Sequence, residues 1–219
     1  MEIGIFVAGR LGSKRLPKKL ILPFGESNLW DIACKKLNHL PDEYEKVVLI
    51  NEPELINIAE KYENIRIILR SKTSSIGNAE DASVYEDVDK MKSDYIMWIN
   101  PCLSMVQTAT IEGALDYYKQ SDKRYLESVK SFKSWLFNSE GKLITDTDFN
   151  KLNTKSVNGI YEAAHAFRIF PKKEFLKTWK MLDTDLLIYP ISSLESMDVD
   201  TELDYTIALE CYKKYTGKT

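Results

Sequence analysis

Ile3-Gly4-Ile5-Phe6-Val7-Ala8-Gly9-Arg10-Leu11-Gly12-Ser13-Lys14-Arg15-Leu16-Pro17-Lys18-Lys19 joins an apolar run directly to a cationic one. Residues 3–7 are compact, apolar and partly β-branched, the pattern of a buried strand. The segment that leaves this strand holds five basic residues in the ten from 10 to 19, out of 30 in all 219 residues. A glycine and a serine stand among the cations. Glycine lets backbone N–H groups approach phosphate oxygens, and lysine or arginine supplies the neutralising charge. Basic runs are otherwise ordinary solvated loops. Departure from the carboxyl end of a first strand favours phosphate binding here.

Downstream, apolar runs at 46–50, 65–69 and 95–99 read as three more strands. Between them, helical spacing marks 29–40 (with Asn28 as its cap), 52–62, 78–91 and 108–118. Runs without period-two alternation belong to strands covered on both faces. The expectation is an α/β fold, a doubly wound, mixed but mostly parallel sheet, in which ligands sit at the carboxyl ends of the strands. That rule selects the loops at 8–19, 51–53, 70–78 and 100–107. The second half is less regular: strand-like at 126–137, a turn at 139–142, polar and irregular over 145–160, strands at 163–170 and 186–191, helices at 172–182 and 200–215. All of 1–219 reads as one domain.

Thirty basic and 33 acidic residues give a formal charge of −3, so no global basic field favours nucleic acid. Three cysteines, Cys34, Cys102 and Cys211, stand far apart without a Cys-x-x-Cys, which points to a reducing, cytoplasmic setting rather than a disulfide framework. Apolar runs are too short for a membrane span, and the order of apolar and basic residues at the start is wrong for a secretory signal. A P-loop, a Gly-x-Gly-x-x-Gly fingerprint and a Gly-x-Ser-x-Gly elbow are all missing. Of the two histidines, His165 at a strand reads first as structural and second as a substrate contact. Trp30, Trp98, Trp135 and Trp179 read as core residues.

A second signal is Met197-Asp198-Val199-Asp200-Thr201-Glu202-Leu203-Asp204. In extended backbone Asp198 and Asp200 point the same way. Two hard oxygen donors on one face suit Mg²⁺ shared with substrate phosphates. Alternatively, Asp200 or Thr201 caps the last helix and the acidic residues favour its positive end.

Residues 8–19 resemble the opening motif of the sugar-acid cytidylyltransferases, Ala-Arg-x-Gly-Ser-Lys/Thr-Arg-x-Pro-x-Lys, the group containing CMP-N-acetylneuraminate and CMP-Kdo synthetases. Residues 197–204 are similar to that group's Asp-x-Asp-Thr-x-x-Asp ending. The resemblance implies a Rossmann-like sheet of the nucleotide-diphospho-sugar transferase type. It implies a reaction in which CTP and a sialic-acid-like 2-keto sugar acid give a CMP-sugar and pyrophosphate. Arg10, Lys14 and Lys19 would contact the CTP phosphates, with Gly12, Ser13 and Arg15 in the same loop. Arg70 would lie near the nucleotide, Asn100 would take the place of a family glutamine or aspartate, and Asp198 and Asp200 would hold Mg²⁺. An excursion over 128–165 would serve a homodimer. After the fourth strand Asn100-Pro101-Cys102-Leu103-Ser104-Met105-Val106 keeps only the proline of the sialic-acid branch.

Two other readings stay open. A metal-dependent nucleotide-sugar glycosyltransferase would share the sheet and the carboxylates, but its Asp-x-Asp is expected mid-chain. A non-catalytic nucleotide-binding relative would account for the altered 100–106 segment.

Overall fold

Ile5, Phe6 and Val7 have no exposed surface. The strand that carries them, β1 (Ile3–Ala8), lies inside a seven-stranded sheet. The computed structural model describes residues 2–71, 82–145, 150, 154, 160–184 and 186–217. Its strands are β1, β4 (Glu45–Ile50), β5 (Arg66–Leu69), β6 (Tyr95–Ile99), β7 (Leu126–Phe132), β8 (Ile160–Pro171) and β9 (Leu187–Pro190), with β2 (Pro23–Phe24) and β3 (Ser27–Asn28) forming a separate small ribbon. The sheet order is β5-β4-β1-β6-β8-β7-β9, and only β8 runs against its neighbours. The expected mixed, mostly parallel sheet is therefore present.

Side chains of β1 go alternately to two cores. Ile3, Ile5 and Val7 pack with α1 (Leu29–His39) and α3 (Thr108–Lys119), whereas Phe6 packs with Val47, Ile96, Phe170 and Phe175. Both faces are covered, which is why the strands lack alternation. Asn28 caps α1 as the sequence indicates, its side chain accepting the Asp31 N–H at 2.8 Å.

Several boundaries differ. The helix expected at 52–62 is α2 (Pro53–Ala59), that at 172–182 is α4 (Lys172–Thr178), and the last is α5 (Glu202–Thr216). Within 78–91 the described part, Ala82–Lys90, is 3₁₀ backbone broken at Tyr85, not an α-helix; residues 78–81 lie outside the described residues. β7 stops at Phe132, and 137–143 form a tight reversal with Gly141 at φ 78°. Residues 128–132 and 160–165 of the expected excursion belong to β7 and β8, while most of 146–159 lies outside the described residues. Trp30 is fully buried, but Trp135 and Trp179 are each 38% exposed and are not core residues.

The chain runs from β1 outward to β4 and β5, then returns to β6 on the other side of β1. The carboxyl ends of β1 and β6 thus flank the point where strand order reverses, the place for a ligand crevice in an open α/β sheet. Gly9 leaves β1 there. A Cβ on it would meet the Trp30 ring at 2.8 Å and Leu55 at 3.0 Å. Gly9→Ala should destabilise the fold by ~1–3 kcal/mol, whereas Gly12→Ala, with nothing within 4 Å of its added Cβ, should leave denaturant midpoints unchanged.

Candidate active site

The basic loop folds back on itself at its base. Lys18 donates its N–H to Leu11 O at 3.2 Å, and Lys18 itself takes the left-handed conformation at φ 56°. Leu16 N–H reaches Ser13 Oγ at 3.5 Å, and Leu11 N–H is held by Glu52 Oε1 at 3.0 Å. Gly12, Lys14 and Arg15 are exposed at the tip, while Ser13 and Arg10 are half-buried. Glu52 lies in the 51–53 loop that the strand-end rule selects, but nothing in the sequence singles out its side chain.

Lys19 is different from the other cations. Its Nζ donates to Val199 O at 2.8 Å and to Asp200 Oδ1 at 2.9 Å. Arg15 reaches the other oxygen of Asp200 at 2.8 Å. The loop after β1 and the segment before α5, some 180 residues apart in sequence, are thereby brought together. Burial opposes the charge on Lys19, but Cys102 and Asp200 outweigh it and raise the amine above its ordinary pKa. The Cys102 thiol beneath is itself pushed up to about 11 by burial, with Lys19 pulling the other way, so it is an inert packing group.

Asp198 sits deeper. Its Oδ2 accepts the Asn100 amide at 3.3 Å, and its Oδ1 is buried without a partner. Burial, then the charge of Asp200, lifts its carboxyl to about 6. Asn100 also fixes its own loop, because its Oδ1 accepts the Cys102 N–H at 3.0 Å. Both ends of this amide are engaged within the protein, so Asn100 orients Asp198. The cap of α5 is Thr201, not Asp200: Thr201 and Asp204 form a reciprocal capping box. That frees Asp200 for Lys19 and Arg15.

An orphaned buried carboxylate oxygen beside a second carboxylate is a donor set that a divalent cation fits. Among the described residues no group of three or more His, Cys, Asp and Glu side chains is placed to hold a metal. Such a cation would take its remaining ligands from phosphates and water, as Mg²⁺ usually does.

Arg70 is buried at the end of β5 and donates to Gly9 O at 3.3 Å and Val84 O at 2.9 Å. It braces the start of the basic loop, and desolvation lowers its pKa. The charges of Arg70, Arg10 and Arg168 all act on the half-buried Tyr85.

His165 belongs to β8, the strand beside β6. It has φ 54°, a conformation costly for a residue with a side chain, inside β8. Beside a register shift between Glu127 and Val129 of β7, β7 side chains accept three consecutive N–H groups of β8. Glu127 accepts from His165, and Ser128 Oγ accepts from Ala166 and Phe167 at 3.0 and 3.1 Å. Glu127 also pairs with Arg168, whose guanidinium lies over Trp98 and against His165 Nδ1. Arginine only donates, so Nδ1 accepts and the proton rests on Nε2. Burial, then Arg168, keeps the ring pKa low. Ala166 O accepts the Asn100 N–H at 2.9 Å, which places this strained residue beside the Asn100–Asp198 pair. A strained φ and a bulge leave no mark in sequence, so only the histidine itself was visible there.

Among the described residues no helix is long and apolar enough to cross a membrane. No curated protein sequence matches the chain. Among solved structures, CMP:2-keto-3-deoxy-manno-octonic acid synthetase complexed with CTP is similar with a TM-score of 0.69 and 10% identity, covering 98% of this chain and 100% of that one. The 4-diphosphocytidyl-2C-methyl-D-erythritol synthase of Anaerococcus prevotii follows at 0.68 and 13%, with 95% of each chain covered. A cytidylyltransferase of Leptospira borgpetersenii serovar Hardjo-bovis has a TM-score of 0.59 at 18% identity, covering 99% of this chain and 96% of that one. At these identities the likeness concerns the fold. The sequence profile of the cytidylyltransferases matches residues 4–182, which takes in the basic loop and the Asn100 segment and stops short of Asp198. With the profile spanning most of the sequence and the sheet shared with solved members, this chain belongs to the cytidylyltransferase family of nucleotidyltransferases.

Proposed function

We propose that the protein transfers a cytidylyl group from CTP to a hydroxyl of a 2-keto sugar acid, of sialic-acid type, and releases pyrophosphate. The observation that carries this reading is the junction at Lys19, which holds the basic loop against the two aspartates at the reversal point of the sheet. The acceptor oxygen attacks the α-phosphorus, the bond to the bridging oxygen of pyrophosphate breaks, and the hydroxyl proton leaves to solvent or a nearby base. Arg10, Lys14, Lys19 and the backbone around Gly12 and Ser13 bind and orient the triphosphate. Arg15 and Lys19 neutralise charge that grows on the leaving group, a task of positioned electrostatics. Mg²⁺, with Asp198 and Asp200 as its protein ligands, would supply further neutralisation of that charge.

Pyrophosphate release tests the reading, measured with each nucleoside triphosphate, Mg²⁺, and acceptors including 2-keto sugar acids and a sugar-alcohol phosphate. Turnover with CTP and a sugar acid is expected. Turnover with the sugar-alcohol phosphate alone would overturn the acceptor and keep the family; no turnover at all would favour a non-catalytic nucleotide binder.

We also propose a homodimer formed through the β7–β8 arm. Phe137, Ile144 and Tyr161 there are 58%, 60% and 51% exposed, more apolar surface than an isolated arm should show to water. Phe137→Asp should shift the sedimentation coefficient from that of a dimer to that of a monomer.

A further inference from the structure

The chain passes from β9 to α5 through residues 191–201, and Asp198 and Asp200 ride on that passage. Backbone bonds fix it at two points: Ile191 N–H donates to Val129 O at 2.8 Å, and Val199 N–H donates to Cys102 O at 3.2 Å. Between these points stands Glu195, and both oxygens of its carboxylate are engaged. Oε2 accepts the Ser192 N–H at 3.3 Å and the Ser192 hydroxyl at 2.9 Å, while Glu195 N–H donates back to Ser192 Oγ at 3.2 Å. Ser196 N–H reaches Ser192 O at 3.0 Å and Met197 N–H reaches Leu194 O at 3.4 Å, so 192–197 is one compact turn. Oε1 leaves that turn for the amino end of α3, where it accepts the Gln107 N–H at 3.2 Å and the Thr110 hydroxyl. Nothing in α3 itself does this. The side chain of Gln107, its N-cap, turns to Met105 O, and its first turn holds no acidic residue. A helix start leaves N–H groups unsatisfied and favours negative charge. The carboxylate that answers both needs comes from 85 to 88 positions away, and a cap supplied from a distance also holds the segment that supplies it.

We propose that Glu195 is a positioning residue for the aspartate pair: it pins the 192–197 turn to α3 and so sets where Asp198 and Asp200 stand beside Lys19. Asp198 is three residues beyond Glu195, and the bonds within the turn leave the intervening backbone little freedom. Glu195 acts through that backbone, not on substrate. What the aspartates then do rests on the cytidylyl-transfer reading above; where they stand does not.

Amide hydrogen exchange in the ligand-free protein reads the placement. Glu195→Ala should speed exchange of the Val199 N–H severalfold relative to Val48 in the sheet, because local opening follows the loss of local bonds. With CTP present, the same variant should bind Mn²⁺, a paramagnetic probe for the metal, about 10–100-fold more weakly and lose turnover to a similar degree, with KM for CTP unchanged. Glu195→Ala also uncaps α3, so a second variant separates the two effects. Gln107→Asp added to Glu195→Ala gives α3 a cap of its own. It should restore the melting temperature, yet leave Val199 exchange fast and Mn²⁺ binding weak. Glu195→Gln, which keeps an acceptor for α3, should fall between Glu195→Ala and wild type. Unchanged Val199 exchange in Glu195→Ala would overturn the tether. Recovery of Mn²⁺ binding on adding Gln107→Asp would overturn it too, since Glu195 would then be a helix cap only. Wild-type protein that releases no pyrophosphate would overturn the cytidylyl-transfer reading instead, and the exchange result would stand.

Discussion

An Asp198→Asn variant is expected to lose Mg²⁺-dependent turnover while its ligand-free fold keeps or gains stability. Asp198 Oδ1 is buried and unpartnered, and burial with the nearby Asp200 raises the carboxyl to about 6. The folded pKa lies above the unfolded one. The associated stabilisation is therefore complete below the unfolded value and is lost as pH rises through about 6. At pH 8 the native protein carries that cost in full, up to roughly 3 kcal/mol for a shift of this size. Asparagine removes the charge and retains a group for the Asn100 contact. Thermal melting of the wild type should fall between pH 5 and 8 relative to the variant, measured without metal. Pyrophosphate release at native rate from Asp198→Asn would end its assignment as the metal residue. Thr201→Ala provides the contrast: loss of a cap, about 1 kcal/mol of stability, with turnover retained.

Lys19→Ala is the second large effect, and it differs from Lys14→Ala. Lys14 is exposed, so its removal should weaken CTP binding and leave the fold intact. Lys19 bonds both Val199 O and Asp200. Its removal should reduce turnover by about 10²–10³-fold, as loss of a positioned charge donor does, and should cost about 2 kcal/mol through lost charge-assisted hydrogen bonds. Arg15 remains on Asp200, which limits the loss. Equal melting temperatures for the two variants would show that the junction contributes nothing to the fold. Equal CTP affinity for wild type, Lys14→Ala and Lys19→Ala would remove the phosphate-loop assignment.

The parallel half of the fold was legible because a strand buried on both faces has no choice of residue: Val47, Val48, Leu49 and Ile50 are all fully buried. The loops that matter followed from that, and the structure brings Lys19 and Arg15 of the first loop onto Asp200 of the last. Roles within the site were less legible. Asp200 and Thr201 are equally good caps by residue type, and only the backbone assigns the cap to Thr201. Asn100 reads as a polar residue after a strand, but both ends of its amide turn inward. Lys36 looks like a solvated residue of an amphipathic helix, because periodicity does not reveal that the 103–104 carbonyls come down over it. The 82–90 segment has helical spacing, yet Tyr85 takes a non-helical conformation against Phe6 and Trp98, a case of tertiary packing overriding local preference.

The Lys19–Asp200 contact spans 181 positions, and that separation governs when the site can exist. During synthesis β1 and its basic loop emerge first and wait for β4, β6 and finally the segment before α5. Contacts so distant in sequence form late, after the intervening chain has collapsed. A nascent or prematurely ended chain thus exposes cations without their aspartates and cannot complete the triphosphate site. On the site proposed above, nucleotide binding requires the whole fold, and a chain stopped before residue 198 should fail to bind CTP in a titration.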